Sequence, residues 1–108
     1  MATRRTWYIG DELPVLSGTV TGITGNLTGY TVTGRLLRKD DTSQTNIDVD
    51  ARCTIVSESN KTYSCTLDAA DITVAGVYEL VLRFTSAGGN PFTVAHPLQL
   101  EVLANPFA

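Results

Sequence analysis

The chain has 108 residues, a formal net charge of −3, 43% hydrophobic residues and 18% charged residues. This length and composition predict a single globular domain over residues 1–108, with a core that needs no disulfide or metal. They exclude a disordered chain. The acidic balance argues against a nucleic-acid partner, which requires clustered basic residues. The basic clusters here are small, namely Arg4–Arg5 and the run Arg35, Arg38 and Lys39.

The N-terminal residues carry no recognisable targeting signal. Residues 1–7 lack the apolar core of a signal peptide, and no apolar run approaches the ~20 residues of a membrane-spanning helix. We therefore expect a protein that is made in a cytoplasm and has no membrane partner.

Apolar and polar residues alternate with a period of two along most of the chain, which is typical of half-buried strands. Clusters of Gly, Asn, Asp and Ser separate eight predicted strands, at 5–9, 14–22, 30–38, 45–50, 52–56, 62–67, 77–86 and 92–103. One helical turn is predicted at 68–72, with Asp68 as its cap. Residues 87–91, Ala-Gly-Gly-Asn-Pro, predict a hairpin turn. This pattern predicts an all-β sandwich.

The alternation also predicts which residues form the core. On the last two long strands, the large apolar residues fall on one face, and the charged and amide residues fall on the other. The predicted core residues are Val32, Leu36, Tyr78, Leu80, Leu82, Leu98, Leu100 and Val102.

Cys53 and Cys65 are predicted to oppose each other on neighbouring strands. If residues 58–60 form a three-residue hairpin loop, Ser57 faces Lys61 and Cys53 faces Cys65. Two interpretations stand: reduced thiols packed as small apolar groups, as is usual in a cytosol, or a disulfide. The spacing argues against a metal site, because it lacks a Cys-x-x-Cys motif and a histidine cluster.

No residue pattern predicts a reaction centre. His96 is the only histidine, and no serine or cysteine motif accompanies it, so we interpret it as a packing or surface residue. Asp48 and Asp50 share a strand face and resemble part of a hard-cation site. Solvated charges that protect a sheet edge explain them better. The sequence also lacks a phosphate-binding loop and a dinucleotide fingerprint. We expect no catalysis, no cofactor and no metal.

Candidate interface residues lie near the two ends of the sequence. Aromatic and arginine side chains are enriched at the centres of protein interfaces. For Trp7 the alternative is that the ring caps the core, and for Phe107 that the ring lies back on its own domain. The candidates are Arg4, Arg5, Trp7, Tyr8, Pro106 and Phe107.

Three segments occur in an informative order: Gly10-Asp11-Glu12-Leu13-Pro14, then Leu27-Thr28-Gly29-Tyr30-Thr31-Val32, then Ala75-Gly76-Val77-Tyr78-Glu79-Leu80-Val81-Leu82. Their order and spacing are similar to those of the immunoglobulin-like modules of tailed-phage virion proteins, such as the N-terminal module of baseplate upper proteins. The resemblance extends over residues 8–103. It implies an immunoglobulin-like antiparallel sandwich of seven to nine strands, and partners that are other virion proteins and copies of the chain itself.

Three functions follow as expectations, because a fold does not determine a function. The first is a structural role in a virion, at the tail, baseplate or fibre attachment. The second is a capsid decoration or cement protein, also located in the virion. The third, of another class, is a glycan-binding module that uses Trp7, Tyr8 and Tyr30 as an aromatic platform.

Overall fold

The computed structural model describes residues 3–39 and 46–107, and within these ranges it contains eight strands. Two 3-10 helices, Asp50–Arg52 and Ala69–Asp71, precede the fifth and seventh strands. No helix in the described ranges is long and apolar enough to cross a membrane. The strands are β1 (Thr3–Tyr8), β2 (Val15–Thr19), β3 (Thr31–Arg38), β4 (Asn46–Asp48), β5 (Cys53–Ser57), β6 (Thr62–Thr66), β7 (Gly76–Thr85) and β8 (Pro91–Leu103).

The strands form two sheets that pack face to face, which confirms the predicted all-β sandwich. One sheet has the order β1-β8-β7-β3-β4, and the other has the order β2-β6-β5. The order β8-β7-β3-β4 corresponds to strands G, F, C and C′ of an immunoglobulin domain, and β2-β6-β5 corresponds to strands B, E and D. The correspondence concerns strand order alone, and β1 lies outside it.

β1 departs from the predicted antiparallel arrangement. It pairs with β8 in parallel, from Thr3 opposite Leu98 to Tyr8 opposite Leu103, whereas the other strand pairs are antiparallel. Gly10, with φ of +89°, turns the chain after β1, and β2 then joins the other sheet. β1 therefore cannot form a hairpin with β2, and it occupies the edge of β8 instead. β1 covers only residues 98–103 of β8.

The predicted strands are all observed, with shifted ends. The strand predicted at 45–50 is shorter in the structure, because a 3-10 helix begins at Asp50. Residue 45, the first of that prediction, lies outside the described ranges. The predicted turn at 87–91 joins β7 and β8, and there the Ser86 N–H donates to the Asn90 carbonyl at 3.0 Å. Asp68 caps the second 3-10 helix by accepting from the Ala70 N–H at 3.0 Å. The local turn signals therefore identified these connections correctly.

The second of the three sequence segments forms a turn and then β3. Tyr30 donates its N–H to the Leu27 carbonyl at 3.0 Å, and Gly29 has φ of +81°. A positive φ at this position is the requirement of a type II turn, which glycine meets without strain. Leu27 is fully buried, so this turn is anchored in the core.

The core lies between the sheets and contains most of the predicted residues. Leu36, Tyr78, Leu80, Leu82, Leu100 and Val102 are buried, as is Phe84 on the same face of β7. Val32 and Leu98 are only half-buried and pack against the margin of the core. The sequence pattern identified their face correctly but overstated their burial, because Val32 lines an open cleft beside β5 and Leu98 lies at the first residue pair between β1 and β8.

Candidate functional site

An exposed apolar surface lies at the end of the sandwich where β1 and β8 both finish. We define this end surface as Tyr8, Leu103, Pro106 and Phe107. Tyr8 and Leu103 are direct partners in the β1–β8 pairing, and they are 40% and 39% exposed. Tyr8, Pro106 and Phe107 line one pocket of about 280 Å³. The Phe107 side chain is 95% exposed, which is the largest exposure among the large hydrophobic residues of the described ranges.

Hydrogen bonds fix the backbone that carries this surface. The Ile9 N–H donates to the Leu103 carbonyl at 2.9 Å, which extends the β1–β8 pairing by one step. The Asn105 side-chain amide donates to the Ile9 carbonyl at 3.0 Å. The Asn105 side-chain carbonyl in turn accepts the Phe107 N–H at 2.9 Å. Asn105 therefore ties the backbone of the tail, up to Phe107, to the residue that follows β1.

The charges beside the end surface are acidic. Asp11 lines the same pocket as Tyr8, and its N–H donates to the Tyr8 carbonyl at 3.0 Å. Glu101 lies two residues before Leu103 on β8, and so on the same face of the strand. It accepts a hydrogen bond from the Thr6 hydroxyl at 2.9 Å. An apolar surface with carboxylates at its margin is complementary to a partner that presents apolar side chains near basic ones.

The other predicted interface residues on β1 lie on different surfaces. Arg4 and Arg5 are exposed and pair with Gln99 and Leu100, well below the end surface. Trp7 is half-buried and packs against the core, as the alternative interpretation had it. The structure therefore brings Tyr8, Pro106 and Phe107 together, and it places the two arginines apart from them. Sequence reasoning missed Leu103 and Asn105, which have no motif of their own and matter only through the β1–β8 pairing.

The two cysteines oppose each other as predicted, although the hairpin loop differs. Cys53 pairs with Cys65 in the β5–β6 register. The prediction that Ser57 faces Lys61 is wrong, because a bulge at Val56 shifts the register and Ser57 pairs with Thr62. The bulge adds one residue to the β5 side, so the cysteine pairing survives a longer loop.

The thiols form a close, asymmetric pair. Both cysteines are free, and their sulfur atoms lie 3.1 Å apart. Cys65 is fully buried, whereas Cys53 is half-buried, so the prediction of two buried thiols holds fully only for Cys65. The hydrogen bond that the Cys53 thiol makes with Cys65 lowers the pKa of Cys53. The same hydrogen bond and burial raise the pKa of the Cys65 thiol.

Cys53 lines an open cleft between β3 and β5. The cleft has a volume of about 650 Å³, and its walls include Tyr30, Val32, Ile55 and Glu58. It lies beside Thr31 and Val32 of β3, where that strand has no partner in β4, since β4 pairs only with residues 35–37. Tyr30 therefore lies at this cleft, whereas Tyr8 lies at the end surface. The structure does not bring these two rings together as an aromatic platform.

His96 is a packing residue, as one of the two interpretations predicted. It is 5% exposed, and its Nδ1 lies 2.7 Å from the hydroxyl oxygen of Tyr63 on the opposite sheet. Burial lowers the pKa of His96 and raises the pKa of Tyr63. Both groups are therefore neutral near pH 7, and the pair is a polar link within the core.

Asp48 and Asp50 contribute to an ion-pair cluster at the edge of the five-stranded sheet. Asp48 accepts from the Arg35 guanidinium at 3.3 Å, and Asp50 makes a short contact with the same guanidinium. Asp50 also accepts the backbone N–H of Gly34 at 2.9 Å. Among the described residues, no group of three or more potential ligands is arranged to hold a metal ion.

Comparison with known proteins adds no assignment to this geometry. No protein-family model matches the chain, and no curated protein matches it.

Proposed function

We propose that this protein is a structural component of a tailed-phage virion, at the tail, baseplate or fibre attachment, and that it acts by protein–protein assembly. The virion class rests on the order and spacing of the three sequence segments. The β-sandwich supports the fold part of the resemblance, apart from the parallel strand β1. Assembly with neighbouring proteins requires a surface built to bind, and the end surface supports that requirement.

The observation that carries the assembly role is the position of Phe107. Burial of a fully exposed phenylalanine side chain would provide about 1.5–3 kcal/mol of stabilisation. The Asn105 bridge to Ile9 holds the backbone at Phe107, and the ring lies exposed beside Tyr8. An exposed aromatic group on an anchored backbone is the type of residue that anchors an interface. Partners bury the end surface together with the neighbouring loops, since a stable interface needs about 800 Å² from each side.

The proposed location at the tail, baseplate or fibre attachment is tested by labelling purified phage particles with a gold-conjugated antibody to this protein. Label at the tail or baseplate is the expected result. Label over the capsid would replace the tail assignment with a decoration role, and absence of the protein from purified particles would overturn the virion proposal.

The binding role of the end surface is tested by substitution. Phe107→Ser should lower the occupancy of the protein in particles, because the ring contributes burial only in the complex. Val15→Ser is the matched control, since Val15 is also an exposed hydrophobic residue, at 56%, but lies on β2 of the other sheet. Equal incorporation of both variants and the wild type would show that the end surface does not bind.

A further inference from the structure

We propose that Cys53 and Cys65 form a dithiol modification site: a small disulfide oxidant that enters the cleft reacts at Cys53, and Cys65 then completes an intramolecular disulfide. The proposal is independent of the virion role, because it rests only on the two thiols and the cleft beside them.

The positions of the two residues favour an intramolecular bond. Cys53 and Cys65 are direct partners in an antiparallel register, and their sulfur atoms are 3.1 Å apart. Directly opposed residues in such a pair have Cα atoms about 4.5–5.5 Å apart. This range lies within the separations found in natural disulfides. Bond formation therefore requires rotation of the side chains and no displacement of the strands.

The two thiols differ in their access to solvent. Cys53 is half-buried and lines the cleft, whereas Cys65 is 0% exposed beneath it. The Cys53 sulfur packs against Gly34 of β3, where the absence of a side chain leaves room for it. An oxidant in the cleft therefore meets Cys53 first, and it reaches Cys65 only through Cys53.

The electrostatics of the pair favour the same order. A thiol has one proton, and Cys53 can donate it to the Val49 carbonyl at 3.4 Å or to the Cys65 sulfur at 3.1 Å. After Cys53 loses its proton, Cys65 donates to the thiolate, and this lowers the pKa of Cys53. Because the thiolate is the nucleophile in disulfide exchange, Cys53 is the more reactive of the two.

The chemistry balances with oxidised glutathione as a representative small disulfide. The Cys53 thiolate attacks one glutathione sulfur, so that a mixed disulfide forms and one glutathione thiolate leaves. Cys65 then loses its proton and attacks the Cys53 sulfur, and the second glutathione leaves as a thiolate. Two protein thiols are oxidised, one small disulfide is reduced to two thiols, and the two protons pass to the departing thiolates.

The product joins β5 to β6 across a loop whose ends are twelve residues apart in sequence. Closing a loop of this size restricts the unfolded chain more than the folded one. The reduced form persists in a compartment kept reducing by glutathione, and the bonded form accumulates in an oxidising one. The pair therefore links the stability of this hairpin to the redox state of the surroundings.

The test treats the folded, reduced full-length chain with oxidised glutathione and follows the reaction by intact mass and peptide mapping. The wild type should lose two hydrogens and give one linked peptide that contains Cys53 and Cys65. Its melting temperature should rise by about 10 °C. A wild-type product that stops at a glutathione adduct, or that dimerises between chains, would overturn the proposal.

Two variants test the order of reaction. Cys65→Ala should stop at a glutathione adduct on Cys53, and Cys53→Ala should remain unmodified for as long as it is folded. If Cys53→Ala reacts at Cys65 as fast as the wild type reacts, the assigned order is wrong. Should Cys65→Ala fail to fold, acid quenching of the wild-type reaction gives the same information. The transient adduct should map to Cys53, and an adduct on Cys65 would contradict the proposal.

Discussion

Tyr63 of the three-stranded sheet and His96 of the five-stranded sheet meet in the core. The Tyr63 hydroxyl oxygen and the His96 Nδ1 lie 2.7 Å apart, and the two rings are nearly perpendicular, with centroids 5.9 Å apart. Residues 33 positions apart in sequence are thus joined by a buried polar contact. A buried pair of this kind is stabilising only while both partners are satisfied.

Acid should weaken the sandwich through His96. Burial lowers the pKa of His96 below its ordinary value of 6.5, so just below pH 6.5 the unfolded chain binds a proton that the folded chain does not. The contribution of neutral, buried His96 to the free energy of unfolding is fully present above pH 6.5. It is lost as the pH falls through the lowered pKa of the folded state. The facing group, Tyr63, stays neutral throughout this range because its pKa is raised.

Urea unfolding at neutral and mildly acidic pH measures this effect. His96→Asn keeps a polar group near Tyr63 but cannot titrate, so its free energy of unfolding should depend less steeply on pH than that of the wild type. The two proteins differ in no other ionisable group, so the difference between their pH profiles reports on His96. Equal pH dependence in both would show that His96 is already accessible to protons in the folded state.

Leu80→Ala should destabilise the domain by roughly 2–5 kcal/mol, because it leaves a cavity in the centre of the core. Leu80 is 0% exposed and lies on β7, in the middle of the five-stranded sheet. Thr21→Ala, at an exposed position, is the control and should change the free energy of unfolding by less than about 0.5 kcal/mol. Similar losses in the two variants, measured by chemical denaturation, would contradict this account of the core.

Gly34→Ala should destabilise the domain by about 1–3 kcal/mol through overpacking. A Cβ at this position would lie 2.5 Å from the Cys53 sulfur and 3.4 Å from a Val49 methyl group. Gly88→Ala is the matched control, since its nearest neighbour would be 3.8 Å away and its φ is not positive. Thermal unfolding of the two variants should therefore separate them clearly.

The double variant Gly34→Ala with Cys53→Ala tests whether the added methyl group clashes with the Cys53 sulfur. Removing the sulfur should recover part of the loss, with a coupling energy of about 0.5–3 kcal/mol between the two sites. Purely additive effects would mean that the backbone around Gly34, rather than the Cys53 sulfur, resists the extra methyl group.

Asp50→Ala should cost about 1–3 kcal/mol, because it leaves the Gly34 N–H without its acceptor. Gly34 is buried, so solvent cannot easily replace the carboxylate. Asp11→Ala, at an exposed loop position, should have little effect on the same denaturation midpoint. A loss for Asp50→Ala no larger than that for Asp11→Ala would show that the hydrogen bond is dispensable.

The parts of the fold that follow from local patterns were predictable from the sequence. Strands follow from alternation, turns follow from Gly, Asn and Pro, and the Cys53–Cys65 pairing follows from the spacing of a hairpin. The parallel partner of β1 was not predictable, because alternation indicates that a strand exists but not which edge it joins. The bulge at Val56 was missed for a related reason, since an inserted residue leaves no compositional signal.

The candidate site was predictable only in part. Aromatic character identified Tyr8 and Phe107, but Leu103 joins them through a strand pairing that the sequence does not reveal. The sequence left two interpretations of Phe107, an interface residue or a ring that lies back on its own domain. The position of this tail depends on a hydrogen bond between Asn105 and Ile9, which lie near opposite ends of the chain. The link between His96 and Tyr63 likewise depends on how the two sheets face each other.

The parallel pairing of β1 with β8 has a mechanical consequence. Both strands run in the same direction, and six residue pairs join them, from Thr3 opposite Leu98 to Tyr8 opposite Leu103. Tension applied between Thr3 and Leu103 pulls the two strands along their length in opposite senses. The hydrogen bonds between the strands are evenly spaced along that direction, so they share the load in shear and do not open one after another. A domain connected in this way transmits force through its first and last strands while its core remains undisturbed.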